Sequence, residues 1–340
     1  MDITSIMNRR SFLVKAGVAL LATQTSGILS SNFSSALACC SKVTLKIGYL
    51  PVTDHLLMIA AVREKFKNLV VQPVKFSSWM ENAEALKAGD IDGSFLLTPK
   101  SLKYREKEVP IRAVLLGHRN GSSITVKDNG DIISIKDLKG KIIAIPSPCS
   151  THNFLLRKIL AENGIDAASD LTIISLSPRA MLETLVKGRI HGFIVAEPFG
   201  IQAESEKIGK VLMLSKDIWH DHICCVLNLR ENIIDKYPEV VQELVTGFTK
   251  TASFITSDPL QAAKESVSLL GHKQGIIEQV LTSPPGRVTF NNLVPEVADF
   301  YAIQKYMKTF GLPGANVDLS DYINNTFAIR AIVDLQKADV

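Results

Sequence analysis

Residues 42–50 read KVTLKIGYL, and Pro51-Val52-Thr53-Asp54 follows directly. Polar and apolar residues alternate through the first stretch, the period-two pattern of a β-strand. A short loop then leads into residues 55–66, whose apolar positions recur at helical spacing. Residues 69–76 read as a second strand, 82–87 as a short helix ended by Gly89, and 91–97 as a third strand. A helix over 99–107 and a strand over 111–116 complete this unit. Strands alternating with helices of this length predict βαβ units and a mostly parallel sheet.

Outward from there the pattern starts again. Strands are expected at 122–126, 142–145, 171–176 and 190–196, with a further candidate at 211–214. Helices are expected at 151–161, stopped by Asn163-Gly164, and at 179–186. The two α/β units meet near Gly117-His118-Arg119-Asn120-Gly121, and no close repeat relates their sequences. A strand over 223–229 leads back, and the remainder is mostly helical: 239–256, 260–270, 274–281 and 296–310. Within it, Asp258 is an expected N-cap with Pro259 at the first helical position.

The chain has 340 residues, enough for two hydrophobic cores. It is 46% hydrophobic and 21% charged, an ordinary globular balance. The formal net charge of +4 comes from 38 basic and 34 acidic residues, with no basic cluster interleaved by aromatics. Nucleic acid is therefore not an expected partner.

The first 38 residues read differently. Asn8-Arg9-Arg10-Ser11-Phe12-Leu13 precedes an apolar run over 16–22, and Ala36-Leu37-Ala38 follows a Ser/Thr-rich stretch. A basic segment, a short apolar segment and an A-x-A site make an export signal over residues 1–38; the apolar run is too short to span a bilayer. The arginine pair resembles a twin-arginine signal. Cleavage after Ala38 exposes Cys39, a candidate for lipidation, and ordinary A-x-A cleavage fits equally. An exported protein is expected in the periplasm or at the outer face of the cytoplasmic membrane. The other cysteines, Cys40, Cys149, Cys224 and Cys225, are not spaced as a disulfide framework.

Several segments, taken in order, resemble one family. They are Ile47-Gly48-Tyr49-Leu50-Pro51-Val52-Thr53-Asp54-His55, Leu115-Leu116-Gly117-His118-Arg119-Asn120-Gly121-Ser122, Ser150-Thr151-His152-Asn153, Ala196-Glu197-Pro198-Phe199 and His222-Ile223-Cys224-Cys225-Val226-Leu227. The chain resembles the solute-binding proteins of ABC importers for nitrate, bicarbonate, taurine and other sulfonates, and pyrimidine precursors. That resemblance implies a type II periplasmic-binding-protein fold: two α/β lobes joined by two crossover strands, closing over a solute. It places residues 43–118 and about 225–340 in one lobe and 120–220 in the other, with hinges at 117–122 and 219–226. The implied partners are a small-molecule solute and a membrane permease; the chain is expected to be a monomer that needs no cofactor.

Helix starts at the carboxyl ends of strands offer free N–H groups and the positive end of the helix dipole. Thr53 and Asp54 stand before one such helix, Ser150 and Thr151 before another, and both pairs also suit plain capping. Asp54 argues against a simple anion site. Trp79 offers a flat wall and one N–H donor, Thr98 a hydroxyl at a strand end, and Glu197 a carboxylate for a ligand donor or for neighbouring backbone.

On a strand, His220, His222 and Cys224 would share one face. Such ligands suit zinc or copper, but a complete site needs more of them, with His55 and His152 available only if the fold gathers them. The other readings are buried hinge thiols, or His222 and Cys224 touching the solute. No P-loop, G-x-S-x-G or H-E-x-x-H occurs, and a Cys149–His152 nucleophile pair is not oriented by sequence. The expected role is solute capture without catalysis; an exported metal-binding protein or enzyme using the His/Cys strand is the alternative.

Overall fold

The computed structural model describes residues 42–338, so the expected export signal and Cys39 lie outside the described residues. In chain order the strands are β1 (Val43–Tyr49), β2 (Leu69–Lys75), β3 (Gly93–Leu97), β4 (Ile111–Leu116), β5 (Arg119–Asn120) and β6 (Ser122–Lys127). Then come β7 (Ile142–Ile145), β8 (Thr172–Ser175), β9 (Gly192–Ala196), β10 (Gly209–Leu214), β11 (Cys225–Arg230) and β12 (Val288–Thr289).

They form two five-stranded sheets, ordered β2-β1-β3-β11-β4 and β10-β6-β9-β7-β8, and a small ribbon of β5 with β12. In the first sheet only β11 runs against its neighbours. In the second only β6 does. Each antiparallel strand is the one that follows a crossover from the other half. The two halves therefore repeat a topology that their sequences do not repeat. This is a mixed α/β architecture of two sheets, as the resemblance implies.

Burial explains the strand patterns. On β1, Leu45, Ile47 and Tyr49 face inward while Thr44 and Lys46 are exposed. The interior strands β3 and β9 are buried along their whole length. Strands covered on both faces read as continuous apolar runs rather than alternations. The segment after β1 differs from the regular helix expected over 55–66. It is a 3₁₀ turn, Thr53–Ile59, followed by a single α turn, Ala60–Arg63. His55 departs from helical angles inside it, at φ −109° and ψ 21°.

The C-terminal third is helical. Asp258 caps helix Pro259–Leu270 by accepting from the Gln261 amide, as its position predicts. The helix Thr326–Ala338, which the sequence reading missed, lies along helix Pro238–Ser257. No described helix is long and apolar enough to cross a membrane. One core cluster joins the halves directly: Leu50, Val52, Trp79 and Leu97 pack with Ala144, Phe193, Val195 and Phe199.

Candidate functional site

The seam between the sheets begins at the β1 loop. Thr53 gives both its N–H and its hydroxyl to the Glu197 carbonyl, each at 2.8 Å. Thr98 repeats the device on the Cys224 carbonyl, at 2.8 Å through N–H and 3.0 Å through the hydroxyl. Both threonine protons are thereby committed to backbone. The Glu197 carboxylate has only chain partners as well. Its Oε1 lies 3.1 Å from Arg287 Nη1, and its Oε2 accepts from the amides of Gly200 and Ile201. Ser150 caps helix Thr151–Glu162, accepting from the Asn153 amide and donating to the Ser147 carbonyl.

The remaining expected residues converge differently. His55, Trp79, Thr151, His152 and His222 are all buried. Among the described residues each keeps a polar atom without a hydrogen-bond partner: His55 Nε2, Trp79 Nε1, Thr151 Oγ1, His152 Nδ1 and His222 Nε2. Buried polar atoms are otherwise almost always paired. His55 Nδ1 accepts from the Leu50 amide at 2.8 Å, so Nε2 carries the proton and is a donor. The nearest partner of His222 Nδ1 is the Ile223 carbonyl at 3.3 Å, which leaves Nε2 as an acceptor. The Trp79 ring lies 6.1 Å from His55 and 5.8 Å from His152, bridging a residue beside β1 and a residue beside β7.

Burial, followed by the charge of His118, holds His55 at about 3. Burial, then His222 and His118, holds His152 at about 3. Burial likewise depresses His222 to about 3. All three are neutral imidazoles. Burial opposes charge on His118 too, but the Asp54 carboxylate beside it prevails and pushes it up to about 10. The two groups lie 3.1 Å apart, Nε2 to Oδ2, in a charge contact too poorly aligned to be a hydrogen bond. Burial raises Asp54 in turn.

The sequence singles out Asp54 and the His220–Cys225 run but not His118; the side chains of Asp54, His118, Cys224 and Cys225 sit together. The expected face of His220, His222 and Cys224 does not form. Asp221 takes a left-handed φ of 57°, which breaks the strand alternation, and β11 begins only at Cys225. His220 is exposed. Among the described residues Cys149, Cys224 and Cys225 are buried and form no disulfide. Toward the surface, an open groove of about 530 Å³ runs beside the seam, with Pro51 and Phe76 on one wall and Pro178 and Phe199 on the other.

Comparison with known proteins supplies the family. Over 238 residues the chain is 28% identical to the nitrate import ATP-binding protein NrtC of Synechocystis, covering 63% of this chain and 35% of that protein. The chain thus spans about a third of that curated relative. A ligand-binding component of an ABC-type import system from Staphylococcus aureus, solved with zinc bound, superposes with a TM-score of 0.78 at 26% identity, over 85% of this chain and 99% of that one. The periplasmic nitrate-binding protein NrtA of Synechocystis matches in fold, with a TM-score of 0.77 at 17% identity, over 86% and 89%. The NMT1-like family model matches residues 40–271, and the chain belongs to that family.

Proposed function

We propose that this chain is the extracytoplasmic solute-binding component of an ABC importer, closing two sheets over a small polar solute and presenting it to a membrane permease. The observation that carries the reading is a set of unpartnered buried groups drawn from both halves, with the Trp79 ring 6.1 Å from His55 and 5.8 Å from His152. His55 Nε2 and Trp79 Nε1 come from the side of the first sheet; Thr151 Oγ1 and His152 Nδ1 come from the second. A guest that bonds to all four gains most when the halves are together, which is how a ligand shifts an open–closed equilibrium.

The lining favours a planar oxyanion or a small heterocycle. The donors are neutral rings, a hydroxyl and the first turn of helix Thr151–Glu162, with the Trp79 face as a flat wall. Of the nearby arginines, Arg119 is held by Asp299 and Arg287 by Glu197, so neither supplies a free positive charge. Export through the signal over residues 1–38 belongs to the same proposal. A thermal-shift screen of nitrate, bicarbonate, sulfonates and small pyrimidines, followed by calorimetry, tests it. The expected result is one solute class binding at one per chain and raising Tm. Turnover of a bound compound, or no binding in any class, overturns it.

A further inference from the structure

Asp54, His118, Cys224 and Cys225 come from three separate segments: the β1 loop, the first crossover and the second crossover. Each is fully buried. Each offers one ligand atom, and the four atoms lie within 4.8 Å of one another. Among the described residues, both Asp54 oxygens and both His118 ring nitrogens lack a hydrogen-bond partner. Two charged groups buried together without hydrogen bonds are costly, because their contact must offset two desolvations.

We propose that these four side chains form a binding site for a thiophilic divalent metal ion of the zinc class, set at the junction of the two crossovers. Two thiolates, one imidazole and one carboxylate are a complete tetrahedral donor set for such an ion. Ligand atoms around tetrahedral zinc stand about 3.3–3.8 Å apart, given bond lengths of about 2.0–2.3 Å. The four atoms need to draw inward by about 1 Å at most, within the reach of small side-chain rotations. The ion would replace the contact between His118 and Asp54 and would release the thiol protons as it binds.

The backbone around the cluster is close-set. Gly121 has φ +89°, and a Cβ there would stand 2.7 Å from Asp54 Oδ1 and 2.9 Å from His118 Nδ1. The Gly117 amide donates to the Cys225 carbonyl, tying the two crossovers at the cluster. A metal held here therefore links both crossovers to the β1 loop and stiffens the segments about which the halves would move. Its four donors are not the unpartnered atoms assigned to the solute above. This inference goes beyond the solute-binding reading, and either can fail alone.

The test uses the purified full chain, reduced and stripped with chelator, then titrated with cobalt(II) or zinc(II) alone. Cobalt is expected to bind at one ion per chain, with thiolate-to-cobalt charge-transfer absorption and the intense visible bands of a tetrahedral site. Cys224→Ser and Cys225→Ser should each weaken zinc binding at least tenfold and reduce the charge-transfer band, while His220→Ala, on the exposed turn, should change neither. Cobalt binding without a thiolate band, or wild-type zinc affinity in both serine variants, would overturn the site. The wild-type spectrum decides the point even if a variant folds poorly. Absence of metal binding together with intact solute binding would refute only the metal site; metal binding without any solute would refute only the importer reading.

Discussion

The Glu197 carbonyl oxygen receives both the N–H and the hydroxyl of Thr53, each at 2.8 Å, although 144 residues separate them. This pair of hydrogen bonds from one residue to one carbonyl joins the loop after β1 to the end of β9. The Thr98–Cys224 pair does the same between the end of β3 and the start of β11. Replacing the hydroxyl by a methyl group removes one bond at nearly constant volume. Thr53→Val is therefore expected to cost about 1 kcal/mol and to weaken solute binding by a similar factor. Denaturant unfolding and calorimetry on the variant check both; unchanged affinity would place the clasp outside the closing step.

Glu197 and Arg287 form a pair buried on both sides. Removing one partner leaves the other charged and enclosed. Arg287→Met is expected to destabilise by about 3 kcal/mol or more, whereas the double variant Glu197→Gln, Arg287→Met should lose less than the sum of the two single changes. Additive losses in a double-mutant cycle would mean the two side chains act independently.

The neutral buried histidines give stability a defined pH dependence. His152 is held at about 3 in the folded chain against 6.5 when exposed. Between those values the unfolded chain binds the proton and the folded chain does not, so the contribution of His152 is complete above about pH 6.5 and is lost as pH drops toward 3. Each such histidine contributes a slope of up to about 1.4 kcal/mol per pH unit. Unfolding followed from pH 7 to pH 4 should show this loss, and His152→Gln should reduce it by the share of one histidine, leaving that of His55 and His222. An identical slope in the variant would show that His152 titrates normally in the folded state.

Gly121 and Gly130 separate conformational from steric cost. Both have positive φ, +89° and +83°, but a Cβ at Gly130 meets nothing within 4 Å while one at Gly121 meets Asp54 and His118. Alanine at either position pays about 1 kcal/mol for the left-handed backbone. Gly121→Ala should cost more than Gly130→Ala by a further 1 kcal/mol or so, since it also displaces two enclosed side chains. Equal costs in thermal unfolding would mean that the crossover moves freely away from Asp54.

The strands were legible because their apolar residues are local signals. Period two marks β1, and continuous apolar runs mark β3 and β9. What sequence could not supply was partnership across distance. Arg287 stands 90 residues beyond Glu197, and nothing in its neighbourhood marks it as a partner. His118 sits in a crossover flanked by Gly117 and Gly121, a signal of close backbone approach, but its pairing with Asp54 follows only from the topology. The His220–Cys224 face failed for a local reason, a left-handed turn at Asp221 that strand periodicity does not foresee. The helix Thr326–Ala338 is amphipathic, but it follows the Gly311–Gly314 turn, where the long helical pattern stops.

Solute affinity in single and paired variants of His55 and His152 tests the two-sided trap most directly. With the solute found by screening, His55→Ala and His152→Ala should each weaken binding at least tenfold, and the pair should abolish it. Wild-type affinity in both variants would show that the guest, if any, sits elsewhere and that the seam between the sheets is only a hydrophobic joint.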